Sequence, residues 1–535
     1  MKKFVLLLTY GLMLYACGTN ELEFDNIEIQ RINGIYGLPL GEISYTMREL
    51  LQEAAIQDDA LQVGADSVYI LTYTDNISYT AQDEFVQIND ITGSGILTVP
   101  NSLATGVVTS PRTVTISDSY VQTYDAQEGE ELDSVFYNGG ELSVTVTSTA
   151  NVSRVDFQFT FKNTLNLNTR NPIIVAGTLN SPGIGNAAED LANHVTLLSE
   201  TTNNEFELDF EVSFVLSAGQ ELMGNDIVTF DFTYGNQSFS VIYGKFGQNT
   251  VQVGDETIDF DFFSDLDEGI LFGEPTLRFN FVNAIGIPLA IDFSSMYADD
   301  GAGGNQIFLE GPITRVNNLP EIAAAPDLNS TSETTIEITP SNSNIRSVLA
   351  TSPLRIVFDV AGTSNYYDPD NSESNFIEPN NSITADVDLE IPLDIRLEDF
   401  QESFRFGLSG GLDISDVDSV FLRVVTLNGL PFSGSLAMEI QDENEQMLYT
   451  IPERVVVNTP FINVSGEVTD PNNTSVDIPL SSEAVDALGV GSFINMVLTI
   501  NTPASQTSDE IFVKIRSDYS IQIKVGLGGQ VDIGF

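Results

Sequence analysis

The chain of 535 residues has one cysteine, one histidine, no tryptophan and only 20 lysines and arginines. Each shortage removes a class of chemistry. A single histidine, His194, cannot supply the two or three imidazoles usual in a catalytic zinc site. A Ser-His-Asp triad would have to use His194, and no Gly-x-Ser-x-Gly elbow accompanies it. The one cysteine, Cys17, has no partner in the chain, so a disulfide framework is excluded. Against 20 basic residues stand 77 acidic ones, a formal net charge of −57. Nucleic-acid affinity comes largely from Lys and Arg neutralising phosphates, and attraction to anionic lipid surfaces also needs basic residues. Neither fits this balance. Beyond the first residues, no apolar run approaches the roughly 18 residues of a membrane-spanning helix.

What remains is rich in strand signals. Hydrophobic residues make up 42% of the chain and mean hydropathy is +0.03, enough apolar surface to build large cores, which an acidic disordered tail lacks. Residues 206–216 alternate strictly: Phe206, Leu208, Phe210, Val212 and Phe214 fall on one face, and Glu207, Asp209, Glu211 and Ser213 on the other. A period of two with one acidic face predicts a strand half-buried on a core. Val228–Tyr234, then Gly235-Asn236-Gln237, then Phe239–Tyr243 predicts a hairpin. Further strands are expected at 67–73, 142–148, 154–161, 276–282, 386–393, 419–426 and 519–526, among others. Helices are few. Thr46-Met-Arg-Glu49 has the spacing of a capping box, and short helices are expected over 187–198, 345–350 and 482–488.

Two segments share one pattern: residues 276–289 and 419–432 each run through an alternating strand, then Asn283 or Asn428, then Gly-apolar-Pro and a second strand. Residues 155–163 begin in the same way but lack the Gly-x-Pro. Asn and Gly accept left-handed backbone angles and Pro fixes the exit, so the pattern encodes a sharp corner between strands. Asp-Ser-Val also recurs, at Asp66, Asp133 and Asp418. These recurrences predict a mainly β chain of two or three antiparallel β-sandwich modules with a few short helices. Loop-rich stretches set expected boundaries at 27–120, 121–320 and 321–535.

The N-terminus carries an address. Lys2 and Lys3 precede an apolar stretch from Phe4 to Leu14, of secretory rather than membrane-spanning length. Leu14-Tyr15-Ala16-Cys17 resembles the lipobox of bacterial lipoproteins. That resemblance implies a signal peptide over 1–16, acylation of Cys17 (the kind of site labelled by palmitate) and a lipidated tether over 17–26. Glu21, Glu23 and Asp25 follow the cysteine, and this stretch resembles the surface-export signal of Bacteroidota lipoproteins, favouring the outer face of the outer membrane over the periplasmic one. Residues 36–51 with 67–73, and 341–345 with the helix after them, are similar to large uncharacterised lipoproteins of the same phylum. The likeness covers about a quarter of the chain and brings an envelope location but no catalytic residues.

Several constellations are possible sites. Asp368, Asp370, Ser372 and Glu373 place oxygen donors within one loop, as a hard cation such as calcium requires; the alternative is a solvated acidic loop. Asp299-Asp300 and Asp265-Leu-Asp267-Glu268 are similar. The Asp-Ser-Val triplets match the pattern glycosylated by Bacteroidota, which marks Ser67, Ser134 and Ser419; alternatively, each triplet simply turns into a strand. The terminal alternation ending at Phe535 resembles the last strand of an outer-membrane barrel, although the lipobox and the short strands favour sandwiches. The expected function is that of a non-catalytic, outer-membrane-anchored binding or accessory subunit, with an outer-membrane protein complex, a glycan or a lipid as partner and no nucleic acid. One alternative is a lipid or apolar-ligand carrier with a groove lined by the Phe-rich face of 206–282. Another is a glycosidase using two of the 77 carboxylates.

Overall fold

A computed structural model describes residues 35–53, 61–80, 90–124, 130–198, 204–259, 270–299, 306–351, 353–370, 372–397, 399–407, 419–503 and 511–530. The architecture is mainly β, as expected, and its antiparallel sheets pack as three sandwiches. The first is made largely of residues 91–245 and is organised around two long strands, Glu131–Ser148 and Ile227–Lys245. Their paired ends Leu142–Ser148 and Val228–Tyr234, with Ile91–Thr98 and Gly183–Asp190 on either side, form one layer. The other layer is Arg112–Thr123, Glu205–Leu216, Arg154–Asn166 and Pro172–Leu179.

The strand at 205–216 forms with the predicted alternation, and Phe206, Leu208, Phe210, Val212, Phe214 and Leu216 are all fully buried. Their rings meet rings of the adjacent strand and of the facing layer. Phe210 lies 4.3 Å from Phe159 and 4.8 Å from Phe230, and Phe161 sits edge-on to Phe232 at 5.5 Å. Such offset and edge-to-face pairs contribute about 0.5–1.5 kcal/mol each beyond the area they bury. Over 206–232 this Phe-rich face is therefore a filled core rather than an open groove.

The expected hairpin at 228–243 is also corrected. The segment is one continuous strand whose register slips at Gly235, Ser238 and Phe239. Asn236 takes a positive φ of 48°, and its N–H donates to Asp90 Oδ1 at 2.9 Å. Gly140 on the partner strand has φ 118°. These irregularities bend both long strands without reversing them, as bulges do. The helix expected over 187–198 is two strand segments, Gly183–Asp190 and His194–Leu197, separated by a tight turn in which Asn193 adopts φ 60°.

One end of the first sandwich is closed by a buried chain of hydroxyls. Tyr124 donates to Gln237 Oε1 at 2.9 Å. Tyr137 lies 3.0 Å from Thr196 Oγ1, which contacts Thr164 Oγ1 at 2.9 Å, and Thr164 in turn contacts Tyr234 at 2.9 Å. Burial pushes all three phenols above their ordinary pKa, Tyr137 and Tyr234 well above it.

The second sandwich packs the sheet of Leu61–Val63, Tyr69–Thr80, Ser382–Pro392, Thr276–Asn283 and Ser332–Ile338 against the sheet built on Arg355–Ser364 and Thr250–Asp259. The third contains the sheets Ile35–Thr46, Ser520–Gln530, Ser419–Asn428, Asn472–Leu480 and Phe400–Gly407, Phe493–Asn501, Ser433–Gln441, Met447–Val457. The sheets run across the boundaries drawn at 120 and 320. Ile35–Thr46 pairs along its length with Ser520–Gln530, Tyr69–Thr80 pairs with Ser382–Pro392, and Asn375–Ile377 leaves the second sandwich to pair with Ile227–Lys245 of the first. A three-stranded sheet of Ile270–Phe272, Asp394–Leu397 and Val513–Lys514 links the second and third.

The helices at 345 and 482 form as expected, as Ile345–Leu349 and Ser482–Val490. The latter passes through Gly489, and Ser481 caps it by accepting Ala484 N–H at 3.2 Å. The box at Thr46 is reciprocal: Thr46 N–H donates to Glu49 Oε2 at 2.8 Å, and Glu49 N–H to Thr46 Oγ1 at 3.3 Å. It opens the helix Met47–Glu53.

The strand corner is the same in the second and third sandwiches. Asn283 Nδ2 donates to Ile287 O and Ala323 O, both at 3.0 Å, while its Oδ1 accepts Ile285 N–H at 2.8 Å. Asn428 Nδ2 donates to Phe432 O at 2.7 Å and Asn458 O at 2.9 Å, and its Oδ1 accepts Leu430 N–H at 2.9 Å. Both side chains are fully buried, and each satisfies three backbone groups that the corner would otherwise leave unpaired. Asn163, which lacks the Gly-x-Pro, bridges strands instead, donating to Leu197 O at 3.1 Å and accepting Glu207 N–H at 2.9 Å.

Candidate functional site

The two faces of one sheet in the second sandwich carry the most distinctive surfaces among the described residues. Strand Ser382–Pro392 alternates as its sequence dictates: Ile383, Ala385, Val387, Leu389 and Ile391 point inward and are buried, while Thr384, Asp386, Asp388 and Glu390 point outward. The outward face holds a polar recess of about 420 Å³ lined by Thr74, Asp75, Asn76, Asn280, Asp386 and Asp388. Asn76 Nδ2 donates to Asp386 Oδ1 at 2.7 Å, Asn280 Nδ2 to Asp388 Oδ2 at 3.2 Å, and Thr335 Oγ1 to Asn280 Oδ1 at 3.0 Å. The amides and carboxylates therefore hold one another. Beyond them, Arg278 pairs with Glu337 at 2.9 Å and Glu390 at 3.3 Å.

Behind the same sheet lies an apolar cavity of about 60 Å³ whose lining exposes no polar surface. Phe279 and Phe281 of one sheet face Leu289, Ile291, Phe293 and Val360 of the other. The void follows from two small residues at inward positions. Gly362 continues the buried phase of Ile356, Phe358 and Val360, and Ala385 lies between Ile383 and Val387. A Cβ added at Gly362 would meet Ile291 Cδ1 at 3.4 Å and Leu289 Cδ2 at 3.6 Å, which is ordinary contact, so the glycine is not imposed by crowding. Around the cavity, Ile77, Tyr79, Val251 and Phe281 are only partly buried, which marks its open side. The first-sandwich glycines behave oppositely: a Cβ at Gly95 would strike the Phe230 ring, and one at Gly93 the Phe232 ring.

The predicted site residues are scattered. Cys17 and the signal segment lie outside the described residues, as do Asp418, Asp265 to Glu268 and Phe535. Asp368 turns its carboxylate onto its own loop, accepting Ser372 N–H at 2.7 Å, Ser372 Oγ–H at 2.8 Å and Glu373 N–H at 2.9 Å. The Glu373 N–H bond is the main cause holding its pKa below the usual carboxylate range. The structure thus brings Asp368, Ser372 and Glu373 together, while no carboxylate cluster of metal-binding size occurs among the described residues. Asp299 is buried and paired with Arg355 through two bonds of 2.7 and 2.9 Å.

Ser67 occupies a turn with φ 68° and is half-buried, Ser134 is 9% exposed within a strand, and Ser419 opens the strand Ser419–Asn428. His194 opens a strand and is not helical. Its Nδ1 lies 3.1 Å from Ala192 O, and its Nε2 is 3.5 Å from Asn166 Nδ2. The residues that sequence reasoning missed are Gly362 and Ala385. Their signal was a small side chain at an inward phase of an otherwise bulky strand.

No family profile matches the chain, and no curated protein matches it. Solved structures similar to parts of it include the following three. A protein from Parabacteroides distasonis, named as secreted, is 14% identical with a TM-score of 0.34, over 53% of this chain and 83% of that one. The cowpea mosaic virus empty particle is 12% identical with a TM-score of 0.12, over 54% of this chain and 90% of that one. The N-terminal tandem domain CBM22-1-CBM22-2 from Paenibacillus barcinonensis is 9% identical with a TM-score of 0.12, over 55% of this chain and 88% of that one. Likenesses this distant carry no weight for function. Among the described residues, no helix is long and apolar enough to cross a membrane.

Proposed function

We propose that this chain is a lipid-anchored, non-catalytic protein of a bacterial outer membrane, whose interlocked sandwiches serve as a binding or accessory body. The observation that carries the reading is the weave of the sheets. Because Ile35–Thr46 pairs with Ser520–Gln530 from Ile35 to Thr46, with one register shift between Pro39 and Gly41, the first described strand is fixed into the third sandwich by a long antiparallel ladder. A tether fastened there transmits load into a folded sheet. Cys17 and Ile35 are 18 positions apart in the sequence, so at about 3.3–3.6 Å per residue the lipid would sit within about 65 Å of that strand. Two acyl chains meet the requirement for stable membrane residence.

The surroundings of His194 support a non-catalytic role, since its ring contacts a backbone carbonyl and an amide, with no acid or nucleophile hydrogen-bonded to it among the described residues. The reading is tested by metabolic labelling with radioactive palmitate, followed by affinity recovery from detergent-solubilised outer membrane. The label is expected on the wild-type chain and absent from Cys17→Ser, with a stable envelope partner recovered alongside. Equal labelling of both chains would overturn the anchor, and recovery of no partner under any gentle detergent would overturn the accessory role.

A further inference from the structure

We infer that the cavity between the sheets of the second sandwich is a binding slot for the end of a single unbranched alkyl chain carrying no negative charge. Three observations lead there. The lining exposes no polar surface, so water inside would find no hydrogen-bond partner, and apolar cavities of this kind stay dry and take up apolar guests. Gly362 and Ala385 line the void, one on each sheet, and packed sheets are only about 10 Å apart. That cross-section admits a methylene chain rather than a fused ring system. Glycine inside a strand commonly marks a place where something approaches closely, and Gly362 lines the cavity with only Ile291 and Leu289 within 4 Å of where its Cβ would be.

The charge restriction follows from the neighbourhood. In strand Tyr69–Thr80, Asp75 shares the inward phase of Tyr73, Ile77 and Tyr79, yet it is exposed. It therefore places a carboxylate two residues from the lining residue Ile77. With Asp386 and Asp388 it also borders the polar recess of the same sheet, and the chain as a whole carries −57. A carboxylate or phosphate at the mouth would be repelled, whereas a hydroxyl would not.

The inference does not depend on the anchor or on any envelope partner, so it is tested on the soluble chain without the lipid. Thermal unfolding is followed with n-decanol and, separately, with decanoate as probes. Decanol is expected to raise the unfolding midpoint by about 2–5 °C near saturation, with at least a tenfold weaker response to decanoate. Ala385→Leu, which fills the slot, is expected to unfold at or above the wild-type midpoint and to lose the decanol shift. Gly362→Val serves as the second filling variant should Ala385→Leu not fold. Ile184→Ala, at an exposed apolar residue of the first sandwich, is expected to keep the full shift. No decanol shift in the wild-type chain, or an undiminished shift in a folded filling variant, would overturn the inference.

Discussion

The first and second sandwiches share a plan, two antiparallel layers with an alternating apolar interior, but they fill it differently. In the first, where strands expose glycine inward, a phenylalanine from the neighbouring strand covers it: Phe230 lies over Gly95 and Phe232 over Gly93, each pair directly opposite in register. In the second, no ring lies within 4 Å of where a Cβ on Gly362 would sit, and although Phe281 stands opposite Ala385 in register, a void of about 60 Å³ remains. At about 24 cal/mol per Å³, a void of that size costs roughly 1.5 kcal/mol. A core can therefore use glycine in two ways, as a seat for an aromatic ring or as a hole, and only the surroundings tell which.

The largest effect expected from breaking this contrast is at Phe210. Phe210→Ala removes the ring stacked 4.3 Å from Phe159 and should cost about 3–5 kcal/mol. Phe281→Ala, at a partly buried wall of the second cavity, should cost less than half of that. Denaturant unfolding of the two variants measures the difference.

Next come the two corners. Asn283→Ala and Asn428→Ala each orphan three buried backbone groups, and each should cost about 2–4 kcal/mol. Near-equal losses would establish that the second and third sandwiches use one device. A loss confined to Asn283 would show that only one of the two corners bears on stability.

The buried phenols should show in alkali. Tyr124, Tyr137 and Tyr234 have folded pKa values raised by burial. Their contribution is fully present below the ordinary tyrosine value near 10 and is lost as pH rises above it, towards the raised values. Unfolding midpoints measured from pH 8 to 12 should fall steeply above about pH 10. In Tyr137→Phe, which breaks the chain of hydroxyls, the protein should start less stable and fall less steeply.

The smallest effect expected is at Asp394, on the linking sheet, whose Oδ1 is buried with no hydrogen-bond partner and whose pKa is raised chiefly by burial. Its favourable contribution is present in acid and lost as pH rises through the raised pKa. Asp394→Asn should therefore raise the midpoint at pH 7, by less than about 2 °C because the group remains partly solvated. The gain should vanish near pH 3.

Much of this fold was legible locally. Strict alternation placed the strand at 206–216, the Thr46 and Glu49 spacing placed a helix, and the Asn-Gly-Pro pattern placed both corners. The expected helix at 187–198 failed because Ala187, Leu191, Val195 and Leu198 are spaced as on one helix face, whereas the turn at Leu191 to Asn193 breaks the segment into two strands. The hairpin failed because Gly235-Asn236-Gln237 suits a bulge as well as a turn, and only the long partner strand Glu131–Ser148 decides between them. The interleaving of the sandwiches was not legible at all. Nothing in the pattern of residues 35–46 names residues 520–530 as their partner, since alternation fixes a face but not a neighbour. The cavity was hidden for a related reason: a lone glycine reads as a bulge or a weak point until its facing strand is known.

The most direct test compares one substitution in two places, the unfolding midpoints of Gly95→Ala and Gly362→Ala measured side by side. The methyl at Gly95 must displace the Phe230 ring and should lower the midpoint, while the methyl at Gly362 meets Ile291 and Leu289 at ordinary contact distance and should raise it. Two shifts of the same sign would contradict the claim that one interior is filled and the other holds a void.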